Sequence, residues 1–290
     1  MLQYKEYLRP TTIEELFSCI KAADKAYDIV SGGTDLYAKE QERLSPMAID
    51  ISRIPALSDI SLEDGWVKIG ANTPVQQFIE NAVLVDQVPL IRHAAIYFAD
   101  QQIREAATIG GNVANSSPTG DIIPTLTAMD AVIQTLSMED DQEVRRQISI
   151  LEFIQGPGRN VLKDGEIVEA ILCPVLTGYG LAFKKVGQRR SLCISTVNSA
   201  FMVKADPAQK IFEDVRIAFG AIGPVPQRVS DVEKFLVGKE ISEEIINEAL
   251  NLIPADLVKS RSRIEYRRNV VPNFVKAGLM EALAELGIAL

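Results

Sequence analysis

Fourteen residues near the middle of the chain, TIGGNVANSSPTGD at positions 108–121, limit its possible folds more than any other stretch. They hold a Gly-Gly pair, two Asn, two Ser, two Thr, a Pro and an Asp. Gly110 and Gly111 accept positive φ and let another group come close to the backbone. Asn112, Asn115 and Asp121 tolerate the left-handed region and bond their own backbone, so the run is expected to be irregular. A compact loop of this kind turns successive N–H groups inward and makes a concave site for an anion such as a phosphate. A shorter loop of the same character, Ser31-Gly32-Gly33-Thr34-Asp35, lies near the N-terminus. Two such loops would grip one diphosphate from both sides.

The flanking patterns say where the loops sit. Residues 1–56 read as a small α/β unit. Thr11-Thr12-Ile13-Glu14 opens a helix with a capping signature, and Leu16, Phe17 and Ile20 form its apolar stripe. Tyr27-Asp28-Ile29-Val30 is a strand, 36–44 a helix and 47–51 a second strand. The first glycine loop therefore leaves the carboxyl end of a strand, where open α/β sheets bind ligands. It lacks the GxGxxG spacing of a dinucleotide fingerprint and, taken alone, reads as a turn.

From Ile60 onward, 66–71 alternates like a half-buried strand, and Thr73-Pro74 starts a helix. Residues 89–98 are helical. Residues 122–129 form a helix whose N-terminus faces the same site, adding its dipole to any phosphate there. Residues 131–136 and 166–172 are strands. A joint falls at Gly178-Tyr179-Gly180, and 181–186, 195–204 and 214–220 follow as a meander, the pattern of an antiparallel sheet. Residues 232–236, 242–250 and 272–286 are three helices. The basic run Arg261, Arg263, Arg267 and Arg268 reads as a solvated face, or as a contact for an acidic partner subunit.

Composition removes several function classes. At 290 residues the chain suits two modest domains, or one large one with an appendage. A net charge of −9 argues against nucleic acid or an anionic membrane as partner. No apolar run nears the ~20 residues of a membrane span, and MLQYKEYLRP lacks a signal-peptide core, so a cytoplasmic protein is expected. Cys19, Cys173 and Cys193 are scattered, giving neither a disulfide framework nor a metal or iron–sulfur site of the chain's own. With His93 the one histidine, a Ser-His-Asp or Cys-His mechanism has almost no material to work with.

With both loops in hand, a family resemblance emerges. Residues 30–36, VSGGTDL, resemble the first FAD loop, usually AGGTDL, of the flavoprotein subunits of molybdenum hydroxylases such as xanthine dehydrogenase and carbon monoxide dehydrogenase. Gln102-Ile103-Arg104 followed by Thr108-Ile109-Gly110-Gly111-Asn112 is similar to the QIRN…TIGGN second loop. Ser117-Pro118-Thr119-Gly120-Asp121 resembles the SPxxD element, and Phe183-Lys184-Lys185 a strand whose Lys lies near the flavin. Four motifs in order, over essentially the whole chain, make the resemblance specific. Ser31 replaces the usual Ala, Glu105 the usual Asn after QIR, and Ala99-Asp100 a Gly-containing pair.

The resemblance implies an α+β fold. An FAD-binding part of the vanillyl-alcohol-oxidase (PCMH) type spans 1–176, with subdomains 1–56 and 57–176. A C-terminal domain of a small antiparallel sheet and three helices follows over 177–290. It implies FAD as cofactor, with amides of Gly32, Gly33, Thr34, Gly110, Gly111 and Asn112 on the pyrophosphate and hydroxyls of Thr34 and Ser117 assisting. Ile29, Val30, Ser31, Thr108 and Asn115 complete the binding set. Asp121 holds the adenosine ribose or orders its loop, and Asp35 binds or caps the next helix. Phe98 and Val168 border the isoalloxazine, and Lys184 brings positive charge to the ring or is an ordinary strand lysine. The implied partners are a molybdopterin-binding large subunit and a 2Fe-2S small subunit, with NAD+ or another electron acceptor. The rival functions are a self-contained flavin oxidoreductase and a non-catalytic nucleotide-binding assembly subunit.

Overall fold

A computed structural model describes residues 4–23, 27–36, 38, 45–189, 192–206, 208, 210–260 and 262–290. The first elements are β1 (Glu6–Leu8), α1 (Ile13–Ala22), β2 (Tyr27–Val30) and β3 (Met47–Asp50). The strands form a parallel sheet in the order β1-β3-β2. Thr12 caps α1 by accepting the Glu15 amide. Leu16 and Phe17 then pack on Ile49, Ile51 and Leu57. Most of the helix expected over 36–44 lies outside the described residues.

The second unit runs through β4 (Ile60–Glu63), β5 (Trp66–Gly70), α2 (Gln77–Glu80), α3 (Ala82–Gln87), α4 (Pro89–Ala95), α5 (Gln101–Ala106), α6 (Ile109–Asn115) and α7 (Ile123–Ala128). It continues with β6 (Val132–Glu139), β7 (Gln142–Ser149), α8 (Ile150–Phe153), β8 (Ile154–Gly156), β9 (Arg159–Asn160) and β10 (Ile167–Pro174). Five strands make an antiparallel sheet ordered β4-β5-β10-β6-β7. Register aligns Ile60, Ile69, Ile171, Ile133 and Ile148 in one row across all five strands. β-branched side chains suit such a pleated, half-buried face. The row meets Ile91, Ile109 and Leu126 from the helices in a single core.

Glu166, just before β10, bonds Thr135 and Arg146, which lie two residues along from Ile133 and Ile148 and so share their face of the sheet. Burial alone would raise its pKa. The guanidinium of Arg146 (Nη2, 2.5 Å), the Lys163 amide and the Thr135 hydroxyl outweigh burial and hold the carboxyl below its usual range. A depressed native pKa contributes stability that is present above the unfolded value of about 4.3 and lost as pH falls through the native one. Wild type should therefore lose more stability than Glu166→Gln between roughly pH 5 and 3. Urea unfolding across that window measures it, and parallel losses in the two proteins would refute the assignment.

The third unit is β11 (Tyr179–Gly187), β12 (Ser195–Asp206), β13 (Ile211–Gly220), β14 (Gln227–Arg228), α9 (Ser230–Leu236), α10 (Glu243–Leu250) and α11 (Ile264–Glu285). Its strands pair antiparallel in sequence order. Both faces of this sheet are covered. Leu181, Phe183, Ala200, Met202 and Ala218 join the core of the second unit. Phe201 and Phe219, edge to face at 6.2 Å, pack beneath Val275, Leu279 and Ala282 of α11. β12 therefore reads as an unbroken buried run from Ser195 to Val203.

Three local expectations are corrected. The central run is helical over Ile109–Asn115: Thr108 caps it through the Gly111 amide, and the left-handed residue is Ser116 (φ 48°). Gly110 and Gly111 are thus ordinary helical residues. Gly110 is needed for proximity, since a Cβ there would lie 2.5 Å from Ala71 Cβ. Thr73-Pro74 does not begin a helix. Pro74 bridges to Thr108, while the amides of Val75 and Gln76 bond Ala107 and Arg104, and α2 starts at Gln77. The last helix starts at Ile264 and passes through Pro272, because burial of Val271, Val275 and Leu279 offsets the one bond the proline removes. Arg267 accordingly leaves the solvated face: it is buried and donates to the carbonyls of Thr196, Ala221 and Ser262.

Candidate functional site

β2 ends at Val30, and the chain then turns through Ser31, Gly32 and Gly33, the last at φ 68°. Gly32 lies flat against the end of α5, where any Cβ would overlap the Ala106 carbonyl. That apposition brings the first loop onto α6. Asn115 Nδ2 donates to Asp35 Oδ2 at 2.6 Å and ties the two together. Ser31 Oγ donates to Asn72 Oδ1 at 2.7 Å, and Asn72 Nδ2 donates to the Ile51 carbonyl.

Between the loops is a cavity of about 270 Å³. Ile29, Ser31, Gly32, Gly33, Thr34 and Asp35 line one side; Thr108, Gly111, Asn112 and Asn115 line the other, and Phe98 closes an end. A side cavity of about 120 Å³ shares Ile29, Ser31 and Gly111 with it and adds Gly110, Val168, Glu166 and Asn72. Val30 is buried beneath the loop.

The hydrogen bonds divide labour unequally between the loops. Gly110 and Asn112 spend their amides on the carbonyls of Ala71 and Thr108, and Gly111 donates to Thr108 Oγ1 at 3.2 Å. Among the described residues, no acceptor in the chain receives the amides of Gly32, Gly33 or Thr34. The free donors belong to the first loop. The second supplies the Thr108 hydroxyl proton and Asn112, whose buried Oδ1 has no partner among the described residues.

Three expected site residues lie elsewhere. Ser117 contacts Thr119 at 3.1 Å within its own turn. Asp121 accepts from Ser195 Oγ (2.6 Å), Asn198 Nδ2 (2.9 Å) and Lys185 Nζ (2.5 Å), while Lys185 also donates to the Tyr97 carbonyl. Asp121 thus spends its carboxylate on the seam between the second and third units. Lys184 points the other way, to Glu281 of α11. Side chains alternate along β11, so Phe183 and Lys185 share the face toward Tyr97, whose ring stacks on Phe183 at 6.1 Å. Asn72 and Lys185 were not singled out from sequence. The only signals were an Asn following Gly70-Ala71 and a second Lys in Phe183-Lys184-Lys185.

Residues 2–176 match the family described as FAD binding domain in molybdopterin dehydrogenase, and 182–282 match the CO dehydrogenase flavoprotein C-terminal domain. The glyceraldehyde dehydrogenase medium chain of Sulfolobus acidocaldarius is 28% identical over 91% of this chain and 93% of its own length. The xanthine dehydrogenase FAD-binding subunit of Escherichia coli O157:H7 is 28% identical over 99% of each. Carbon monoxide dehydrogenase from Hydrogenophaga pseudoflava contains a chain of the same fold, with TM-score 0.87 and 25% identity over 98% of this chain and 99% of that one. The cavity's chemistry fits FAD. It offers three unspent amides at a strand's carboxyl end, a free hydroxyl proton at Thr108, an unpartnered buried oxygen at Asn112 and a flat apolar end at Phe98. Replacing Thr108 by Val removes both the cap and the hydroxyl. It should cost about 1 kcal/mol of apo-chain stability and weaken FAD several-fold. Urea unfolding and FAD titration read the two effects separately; unchanged affinity would remove Thr108 from the site.

Proposed function

The chain belongs to the family of FAD-binding domains of molybdopterin dehydrogenases, and we propose that it is the flavin subunit of a multi-subunit molybdenum hydroxylase. In that role it receives electrons from the iron–sulfur clusters of a small partner subunit, which a molybdopterin-binding large subunit feeds. It delivers them to NAD+ or another acceptor. When bound, FAD supplies the exchange between one-electron carriers and a two-electron acceptor. The chain's own residues bind and orient.

The observation that carries this reading is the cavity itself, where two loops 80 residues apart are pinned by Asp35 and Asn115 and unspent amides face inward. Amides of Gly32, Gly33 and Thr34 are assigned to the pyrophosphate oxygens, as backbone donors in a turn suit an anion. The Thr108 hydroxyl assists, Asn112 accepts from a cofactor hydroxyl, and Phe98 and Val168 offer apolar contact to ring systems. Asp121 takes the second of its two expected roles and orders its loop. Residues 1–176 are assigned to FAD binding and 177–290 to the closing sheet and helices. The lining combines backbone amides, hydroxyls and apolar side chains with Asp28 and Asp35, and Asp35 is held by Asn115, so the chain's task there is to orient the cofactor.

Visible absorbance of the purified chain before and after adding FAD tests the binding. A flavin spectrum at near-equimolar FAD, bleached by NADH, supports the reading with a nicotinamide acceptor. Uptake of FAD without bleaching leaves another acceptor. No uptake, either alone or with partner subunits, would sink it.

A further inference from the structure

Far from the flavin cavity, the C-terminal helices enclose a groove of about 350 Å³ between the end of α10, the 251–259 segment and the first half of α11. Its floor is apolar: Leu257, Val258 and Val271 are buried beneath it. Arg268 stands on its wall, exposed, and makes no ion pair or hydrogen bond among the described residues. Among the described residues, no acidic side chain lines the groove, and nearby Asp256 is already paired with Lys259 at 3.4 Å. Pro272, also on the wall, has no amide hydrogen, so the Arg268 carbonyl lacks its usual helical donor. Ile264, 39% exposed, lies four residues before Arg268 on the same helical face and extends the apolar strip outward. Arg263, also exposed and unpaired among the described residues, adds a second positive charge at the helix start.

An unpaired cation beside an apolar floor, on a chain of net charge −9, points to a specific complement. We propose that the groove receives a segment of one of the partner subunits, an apolar side chain seated on Leu257, Val258 and Val271 beside a carboxylate that pairs with Arg268. The proposal rests on the reading of this chain as one subunit of a heteromeric enzyme. Charge complementarity of this kind sets partner choice and makes association salt-dependent.

The test is coexpression with the molybdopterin and iron–sulfur subunits, purification through a tag on a partner, and measurement of the affinity of this chain for that assembly. Arg268→Glu reverses the wall charge. Ala255→Trp, at an exposed position on the groove, fills it without touching the core. Each should weaken assembly at least tenfold, and Arg268→Glu should also flatten its salt dependence. Both free variants should keep wild-type FAD content and thermal melting. If wild type assembles and both variants do so equally well, the groove proposal fails alone. If wild type joins no partner subunit, the heteromeric reading fails and the groove proposal with it. A free wild-type dimer that Arg268→Glu breaks would mean that a second copy occupies the groove, which also overturns the proposal.

Discussion

Gly32→Ala should yield a folded chain that purifies without flavin. The added methyl would occupy the space of the Ala106 carbonyl, which is held by the backbone of α5 and cannot swing aside as a side chain would. The first loop must then lift away from α5 and α6. That separates the free amides of Gly32, Gly33 and Thr34 from Thr108 and Asn112, and strains the 2.6 Å Asp35–Asn115 bond. Overpacking of this kind costs about 1–3 kcal/mol. Spent on loop geometry, the upper end corresponds to roughly a hundredfold loss of FAD affinity. The ratio of visible to protein absorbance after purification, followed by FAD titration, gives the result. A variant that retains equimolar FAD would show that the apposition of the loops is unnecessary.

Lys185→Met should be the most destabilising single charge removal at the seam. The Lys185 and Asp121 side chains are only 6% and 10% exposed and lie 2.5 Å apart. Without the ammonium, Asp121 keeps Ser195 and Asn198 as neutral donors but loses its counter-charge. A buried carboxylate left that way costs about 3–5 kcal/mol. The double variant Lys185→Met/Asp121→Asn should recover part of the loss, since a neutral amide needs no counter-ion. Lys184→Met is the control. Its partner Glu281 is about half exposed, and such pairs contribute about 0–1 kcal/mol. Denaturant unfolding of the three proteins decides. A larger loss at Lys184 than at Lys185 would reverse the assignment of faces along β11.

Why one lysine could be mistaken for the other bears on what sequence reveals. Phe183-Lys184-Lys185 declares a strand, but which side chain faces which neighbour depends on pairing with β12 and on where α4 and α11 pack. A one-residue shift exchanges the two faces. The glycine loops were legible because Gly-Gly with Asn and Asp is local chemistry. The helix inside the second loop was not, because propensity marks Gly-Gly as a helix breaker. Here the Thr108 cap and the packing of Gly110 on Ala71 override that preference. The amides of Gly110 and Asn112 looked free for a phosphate; their acceptors, Ala71 and Thr108, appear only in three dimensions. Arg267 shows the same limit. Nothing in a run of arginines says that one of them will be folded under three backbone carbonyls.

The sheet of the third unit lends one face to the core of the second, through Leu181, Phe183, Ala200, Met202 and Ala218. This has a consequence for the order of synthesis. As the chain leaves the ribosome, the strands and helices of the earlier half emerge complete but lack the cover that β11 to β13 will bring. The sides of α4 and α7 that pack on β11, β12 and β13 wait, wet, until residue 220 has been made. Exposed apolar surface of that kind is prone to aggregate. Slow elongation through the 181–220 stretch, or a shortage of chaperone while it is made, would lower the yield of soluble protein while leaving the finished fold as stable as before.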